Sequence, residues 1–111
     1  MGKKQPKQNY QREIENIVKA LKPYQPEKVI LFGSAAKGSM KKGSDIDLLA
    51  IKKTKKRRVE RILEVSRYLE NNSWPIDILV YTPDEFRQAQ DDNLMFIEEV
   101  INHGKVIYEK S

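Results

Sequence analysis

This chain predicts an α+β (α/β sandwich) fold, a small mixed sheet with helices packed on it. Three observations predict it. Apolar runs of strand length occur near residues 28–32, 45–51 and 75–82. Helical apolar periodicity fills the stretches before, between and after them. Strands and helices alternate without repeat or internal linker, so one layered core is the economical solution. With 111 residues the chain supports one core, burying roughly 60–65% of its unfolded surface.

Residues Met1–Asn9 are polar, include Pro6 and show no periodicity. They are expected to form a flexible N-terminal arm, with a single domain over 10–111. From Tyr10 the pattern is helical, with Ile14, Ile17, Val18 and Leu21 on one face. Pro23 and Pro26 stop that helix. Lys28-Val29-Ile30-Leu31-Phe32 reads as a buried strand ending at Gly33. Residues 34–44 are small, polar and basic. Asp45–Ile51 reads as a second strand and Arg57–Glu70 as a second amphipathic helix, which Asn71-Asn72-Ser73 ends. Pro75–Thr82 is the third strand. Thr82, Pro83 and Glu85 form a strong helix start, with a cap, a proline at the first position and a capping-box acid. Two helical pieces follow, near 83–90 and 93–102. Gly104 is expected to cap the second, and Val106-Ile107-Tyr108 to form a last short strand.

Composition excludes several chemistries. Cysteine is absent and His103 is the only histidine. Disulfides, thiolate zinc sites, multi-histidine metal sites and a Ser-His-Asp triad therefore lack parts. No apolar run approaches the ~20 residues of a membrane span, and none follows Met1 as a signal would. A cytoplasmic setting away from membranes is expected. Residues 1–60 carry 16 Lys and Arg against 6 Asp and Glu, a net of +10, whereas 61–111 carry 5 against 10, a net of −5. A basic half beside an acidic half suggests an anionic partner on one side.

Three aspartates interrupt the apolar strands. Asp45 and Asp47 stand at i and i+2, so in a strand both leave the same face, about 6–7 Å apart. Ile46, Leu48 and Ala50 then face the core. In the third strand Asp77 emerges on the face of Leu79 and Tyr81, opposite Ile76, Ile78 and Val80. If the strands are neighbours, three carboxylates converge, and cations relieve their repulsion and lost hydration. Oxygen ligands without histidine or cysteine favour Mg²⁺ or Mn²⁺. Two such ions about 3.5–4 Å apart hold both sides of a phosphoryl displacement.

Gly33 and Ser34 follow the first strand directly. Backbone N–H groups at such a turn bind phosphate, and Lys37, Lys41 or Lys42 offers positive charge. Gly33 and Gly38 have the spacing of a Walker loop, but Ser39-Met40 follows where Lys and Ser or Thr are needed.

Taken together, Gly33-Ser34-Ala35-Ala36-Lys37-Gly38, five residues, then Ser44-Asp45-Ile46-Asp47-Leu48 resembles the signature of the nucleotidyltransferase superfamily that includes DNA polymerase beta. Asp77 in Pro75-Ile76-Asp77-Ile78-Leu79-Val80 matches its third carboxylate. The short length resembles the minimal nucleotidyltransferase branch, whose members include antitoxins beside HEPN-domain toxins. The resemblance implies that Asp45, Asp47 and Asp77 are catalytic and bind two Mg²⁺ ions, or Mn²⁺. It implies that Gly33, Ser34, Lys37 and Ser44 hold the nucleotide, with ATP as substrate. It further implies that AMP passes to a hydroxyl, a tyrosine on the partner, silencing a toxin. The alternative is an antitoxin that neutralises by binding alone. Ala35 and Lys37 stand where many members carry Arg, so the flat bidentate grip on phosphate is missing.

Nucleic acid is the weaker partner, because the aromatic residues are not interleaved with the basic patch and offer no obvious platform for stacking bases. Leu94, Phe96, Ile97, Val100 and Ile101 exceed what one helical face needs. They read as core, or as a surface for a partner or a homo-oligomer.

Overall fold

The structure is a computed structural model and describes residues 6–36 and 45–110. Helix α1 (Pro6–Leu21) begins at Pro6 rather than Tyr10, so part of the expected arm is helical. Proline suits a helix start because its φ is already set and it has no N–H to leave unpaired. Residues 7–9 are all polar, so apolar periodicity carries no signal there. A 3₁₀ turn, Lys22–Tyr24, follows and ends at Gln25, whose φ is +63°. Then come β1 (Lys28–Phe32), α2 (Gly33–Ala36), β2 (Ile46–Ile51), α3 (Arg58–Tyr68), β3 (Ile76–Tyr81), α4 (Pro83–Asp91), α5 (Met95–His103) and β4 (Lys105–Glu109). Asp45 lies just before β2, not within it, and α3 ends before Glu70.

The four strands form one mixed sheet in the order β3-β2-β1-β4. β1 runs antiparallel to both β2 and β4, while β2 and β3 are parallel. The parallel pair is joined through α3, as a crossover requires. Helices cover both faces. On one face Ile14, Ile17, Leu21, Tyr24 and Val65 pack on Val29, Leu31, Ile46, Leu48, Ala50, Ile78 and Val80. On the other, Ala89, Ile97 and Val100 pack on Ile30, Leu49, Ile51 and Tyr81. β2 is thus buried from both sides, which explains its unbroken run Leu48-Leu49-Ala50-Ile51.

Two helix ends show how local sequence sets them. At α4 the Thr82 hydroxyl accepts the Glu85 N–H at 3.1 Å and the Glu85 carboxylate accepts the Thr82 N–H at 2.9 Å, the expected capping box. Gly104 does end α5, but with φ −73°, not in the left-handed form a capping glycine predicts. Its glycine answers crowding instead. A Cβ there would collide with the Val100 carbonyl and stand 2.8 Å from Ile30 Cγ2. α5 therefore passes directly into β4 and lies against β1. Among the described residues, no helix is long and apolar enough to cross a membrane.

Candidate functional site

Sheet register brings the aspartates together. Asp47 on β2 pairs with Asp77 on β3 and, across its other edge, with Phe32 on β1. Paired residues of adjacent strands share a face, about 4.8 Å apart. That face is the one covered by α4 and α5, as Leu79 and Tyr81 on β3 predict. Asp45 precedes Asp47 by two residues and is exposed at the mouth.

The turn after β1 touches this pair. Gly33 has φ +72°, in the left-handed region where glycine alone is free of Cβ strain. A Cβ on Gly33 would collide with Asp47 Oδ2. The main chain at the start of α2 and the Asp47 carboxylate are therefore in direct packing contact. Glycine is needed there twice, for conformation and for space. Ser34 is the next residue of α2 and is half-buried. Lys37 and Ser44, expected to hold the nucleotide, fall within 37–44, outside the described residues.

Burial pushes the Asp47 carboxyl up from its ordinary pKa, and repulsion by Asp77 and then Asp45 adds to the rise. This is the electrostatic signature of carboxylates gathered close together. Among the described residues, no three His, Cys, Asp or Glu side chains close into a metal-ligand set as they stand. The donor chemistry nonetheless fits a hard divalent cation. All the donors are carboxylate oxygens, and a cation removes the cost that raises Asp47.

Phe32 and Phe96 were not among the expected site residues. Phe32 sits beside Asp47 on the same face and meets Phe96 of α5 edge-on, with centroids 5.1 Å apart. Phe96 also reaches Tyr81, at 6.5 Å. Phe32 is thus an aromatic neighbour of Asp47, backed by Phe96. The available signal was alternation along β1, which puts Ile30 and Phe32 on the aspartate face. The surplus apolar residues of α5 divide between core and surface. Ile97 and Val100 are buried, while Leu94, Met95 and Ile101 are exposed.

A family model described as polymerase beta, nucleotidyltransferase, matches residues 15–111. The chain belongs to this nucleotidyltransferase family. No curated protein matches it. Its fold is similar to a candidate nucleotidyltransferase from Sulfolobus solfataricus, with 23% identity and a TM-score of 0.65, over 99% of this chain and 93% of that one. It is also similar to a toxin–antitoxin structure with AMP-PNP, with 21% identity and a TM-score of 0.58, over 88% and 74% of the two chains. A third likeness is to a complex of tri-AMPylated HEPN toxin with MNT antitoxin from Shewanella oneidensis, with 18% identity and a TM-score of 0.50, over 91% and 73%. At these identities the likeness establishes the fold.

Within this nucleotidyltransferase fold, the arrangement offers two chemical resources side by side. One is the left-handed glycine turn that starts α2. The other is a carboxylate group able to hold cations or accept a proton.

Proposed function

We propose that this chain transfers a nucleoside monophosphate, AMP from ATP, to a tyrosine hydroxyl of a partner protein, and that it acts in the cytoplasm as the antitoxin of a HEPN-domain toxin. The observation that carries the reading is the contact between Gly33 and Asp47, with Asp77 in register beside it. It supports the reading because a phosphate-binding turn and a cation-binding carboxylate pair, the two resources that nucleotidyl transfer requires, would then lie side by side. Asp45, Asp47 and Asp77 would hold two Mg²⁺ ions, or Mn²⁺, and Gly33, Ser34, Lys37 and Ser44 would hold the phosphates of ATP. When bound, such ions stabilise charge on the attacking and leaving oxygens of an in-line displacement. Asp77, at the exposed side of the pair, accepts the proton of the incoming hydroxyl. The hydroxyl oxygen bonds to the α-phosphorus as the bond to the pyrophosphate oxygen breaks. The described residues build one such face, so the partner supplies much of the acceptor's positioning. The similarity to structures of an antitoxin with a HEPN toxin, one of them AMPylated, supports the choice of partner and of AMP.

A contact-only antitoxin is the second reading. Exposed Met95, Ile101 and Val106 favour it, because they give α5 and β4 apolar surface that needs no chemistry to bind. Intact-mass measurement of a HEPN partner after incubation with MgATP separates the two. A gain of AMP units, abolished by Asp45→Asn, is expected. A tight complex of unchanged mass would leave the contact reading, and no complex at all would defeat both.

A further inference from the structure

We propose that a cleft at the opposite end of the sheet binds an acidic peptide segment bearing one large apolar side chain. The cleft lies where Lys28 of β1 pairs with Ile51 of β2, four residues along both strands from the Phe32–Asp47 pair. At about 3.3 Å per residue, roughly 13 Å separates the two ends. The cleft's volume is about 550 Å³, within the range of ligand sites. It spans β4, β1 and β2, or two strand spacings of about 4.8 Å, which accommodates about three extended residues.

Ile51, Pro83 and Phe86 supply its apolar lining. Lys28, Lys53, Arg87 and Lys110 line it as well, against two carboxylates, Glu27 and Glu109. Lys28 is held by Glu109 at 3.6 Å. Arg87 meets Asp84 on its own helix at 3.2 Å, with both side chains exposed, a pairing worth little in water. Lys53 and Lys110 have no ion-pair partner among the described residues. The site thus has surplus positive charge around an apolar seat, the complement of an acid–apolar–acid sequence.

The walls are already in place. The Glu27 N–H donates to the Ile51 carbonyl at 2.7 Å, and the Lys110 N–H donates to the Glu27 carbonyl at 2.9 Å. These bonds stitch the strand ends together, so little ordering is required on binding. A peptide suits the cleft better than a nucleic acid. Phosphates at every nucleotide would meet Glu27 and Glu109, and Phe86 is the one ring in the lining. The proposal does not depend on nucleotidyl transfer. A segment seated here leaves the Asp47–Asp77 end open, so one partner protein can be gripped at one end of the sheet and presented at the other.

The test uses the whole chain and a dye-labelled acetyl-Asp-Glu-Phe-Asp-Glu peptide, followed by fluorescence anisotropy and by amide NMR shifts. Saturable binding is expected, with shifts centred on Lys53, Phe86, Arg87 and Lys110 and no displacement by MgATP. The exposed pair Lys53→Glu/Lys110→Glu should weaken it at least tenfold, about 1.4 kcal/mol, and the charge-reversed Lys-Lys-Phe-Lys-Lys peptide should not bind. Absence of saturable binding, unchanged affinity in the double variant, or shifts centred on residues 33–47 would overturn the proposal. So would stronger binding of a uridine pentanucleotide at the same amides, which would make the cleft a nucleic-acid site.

Discussion

Asp47 sits where its proton is held more tightly than in the unfolded chain, because burial strips water from the carboxylate and Asp77 and Asp45 repel its charge. The sign of the consequence is fixed by linkage. With the folded pKa raised, the stabilising contribution is complete below the unfolded pKa and is lost as pH rises through the folded one. Ionised Asp47 therefore costs stability at neutral pH. Asp47→Asn is expected to raise the melting temperature there, with the advantage vanishing in acid below the usual aspartate range. The same change should weaken MnATP binding in calorimetry. Gly33→Ala should also weaken that binding but with the opposite effect on stability. The left-handed φ alone costs about 1–2 kcal/mol for a residue with a Cβ, and the collision with Asp47 adds to it. Equal MnATP affinity in both variants and the parent would sink the site assignment.

At the scale of elements, α3, β3 and α4 are joined by one side chain. Arg61 is 6% exposed. Its Nε donates to the Lys56 carbonyl at 2.7 Å and one terminal nitrogen to the Val80 carbonyl at 3.2 Å. Its two terminal nitrogens reach the two Glu85 oxygens at 2.7 and 3.1 Å. Those hydrogen bonds hold the Glu85 carboxyl below its ordinary pKa. The stability this provides is present above the unfolded pKa and is lost as pH falls through the folded value. Glu85→Gln leaves Arg61 buried without its counter-charge and should cost about 3 kcal/mol in urea unfolding, the low end for a broken buried pair because Glu85 is partly exposed. A loss that is unchanged at acid pH would contradict this account. Glu85 also shows what was legible in the sequence. Its capping role follows from Thr82-Pro83-Asp84-Glu85, because a cap is local. Its bond to Arg61 spans 24 positions, and no local pattern announces it. The strands were legible from their apolar runs, and the shared face of Asp47 and Asp77 from alternation. The order β3-β2-β1-β4 was not, since register and neighbours are settled by packing of distant elements. Part of the reason for Gly104 was hidden in the same way, because Ile30 adds to the crowding by the Val100 carbonyl.

For the whole molecule, occupancy of the site should be readable as global stability. A ligand that binds only the folded state stabilises it by about 2.7 kcal/mol at a hundredfold excess over its dissociation constant. For a domain near 100 residues, each kcal/mol shifts the melting temperature by about 4–8 °C. MgATP is therefore expected to raise the melting temperature by about 10 °C or more at that excess. ATP with EDTA should not, and neither should MgATP with Asp47→Asn. An equal shift with and without the divalent ion would show that nucleotide binds without the carboxylates.

Strand β4 closes the sheet against β1, although α2, β2, α3, β3, α4 and α5 lie between them in the chain. Closing so long a loop is slow relative to forming local contacts. The β1–β2 and β2–β3 pairings join strands closer in sequence and are placed to form first. The irregular register at Val29 and Ile30, which leaves Ile107 without a partner on β1, favours a late zipping step. On that order of events Tyr108, paired with Val29, would make its contacts after the folding barrier. Tyr108→Ala should accelerate unfolding while leaving the refolding rate nearly unchanged, a φ-value near zero by stopped-flow fluorescence. Such a result would make β4 a kinetic latch, one that governs how long the native state lasts more than how fast it is reached.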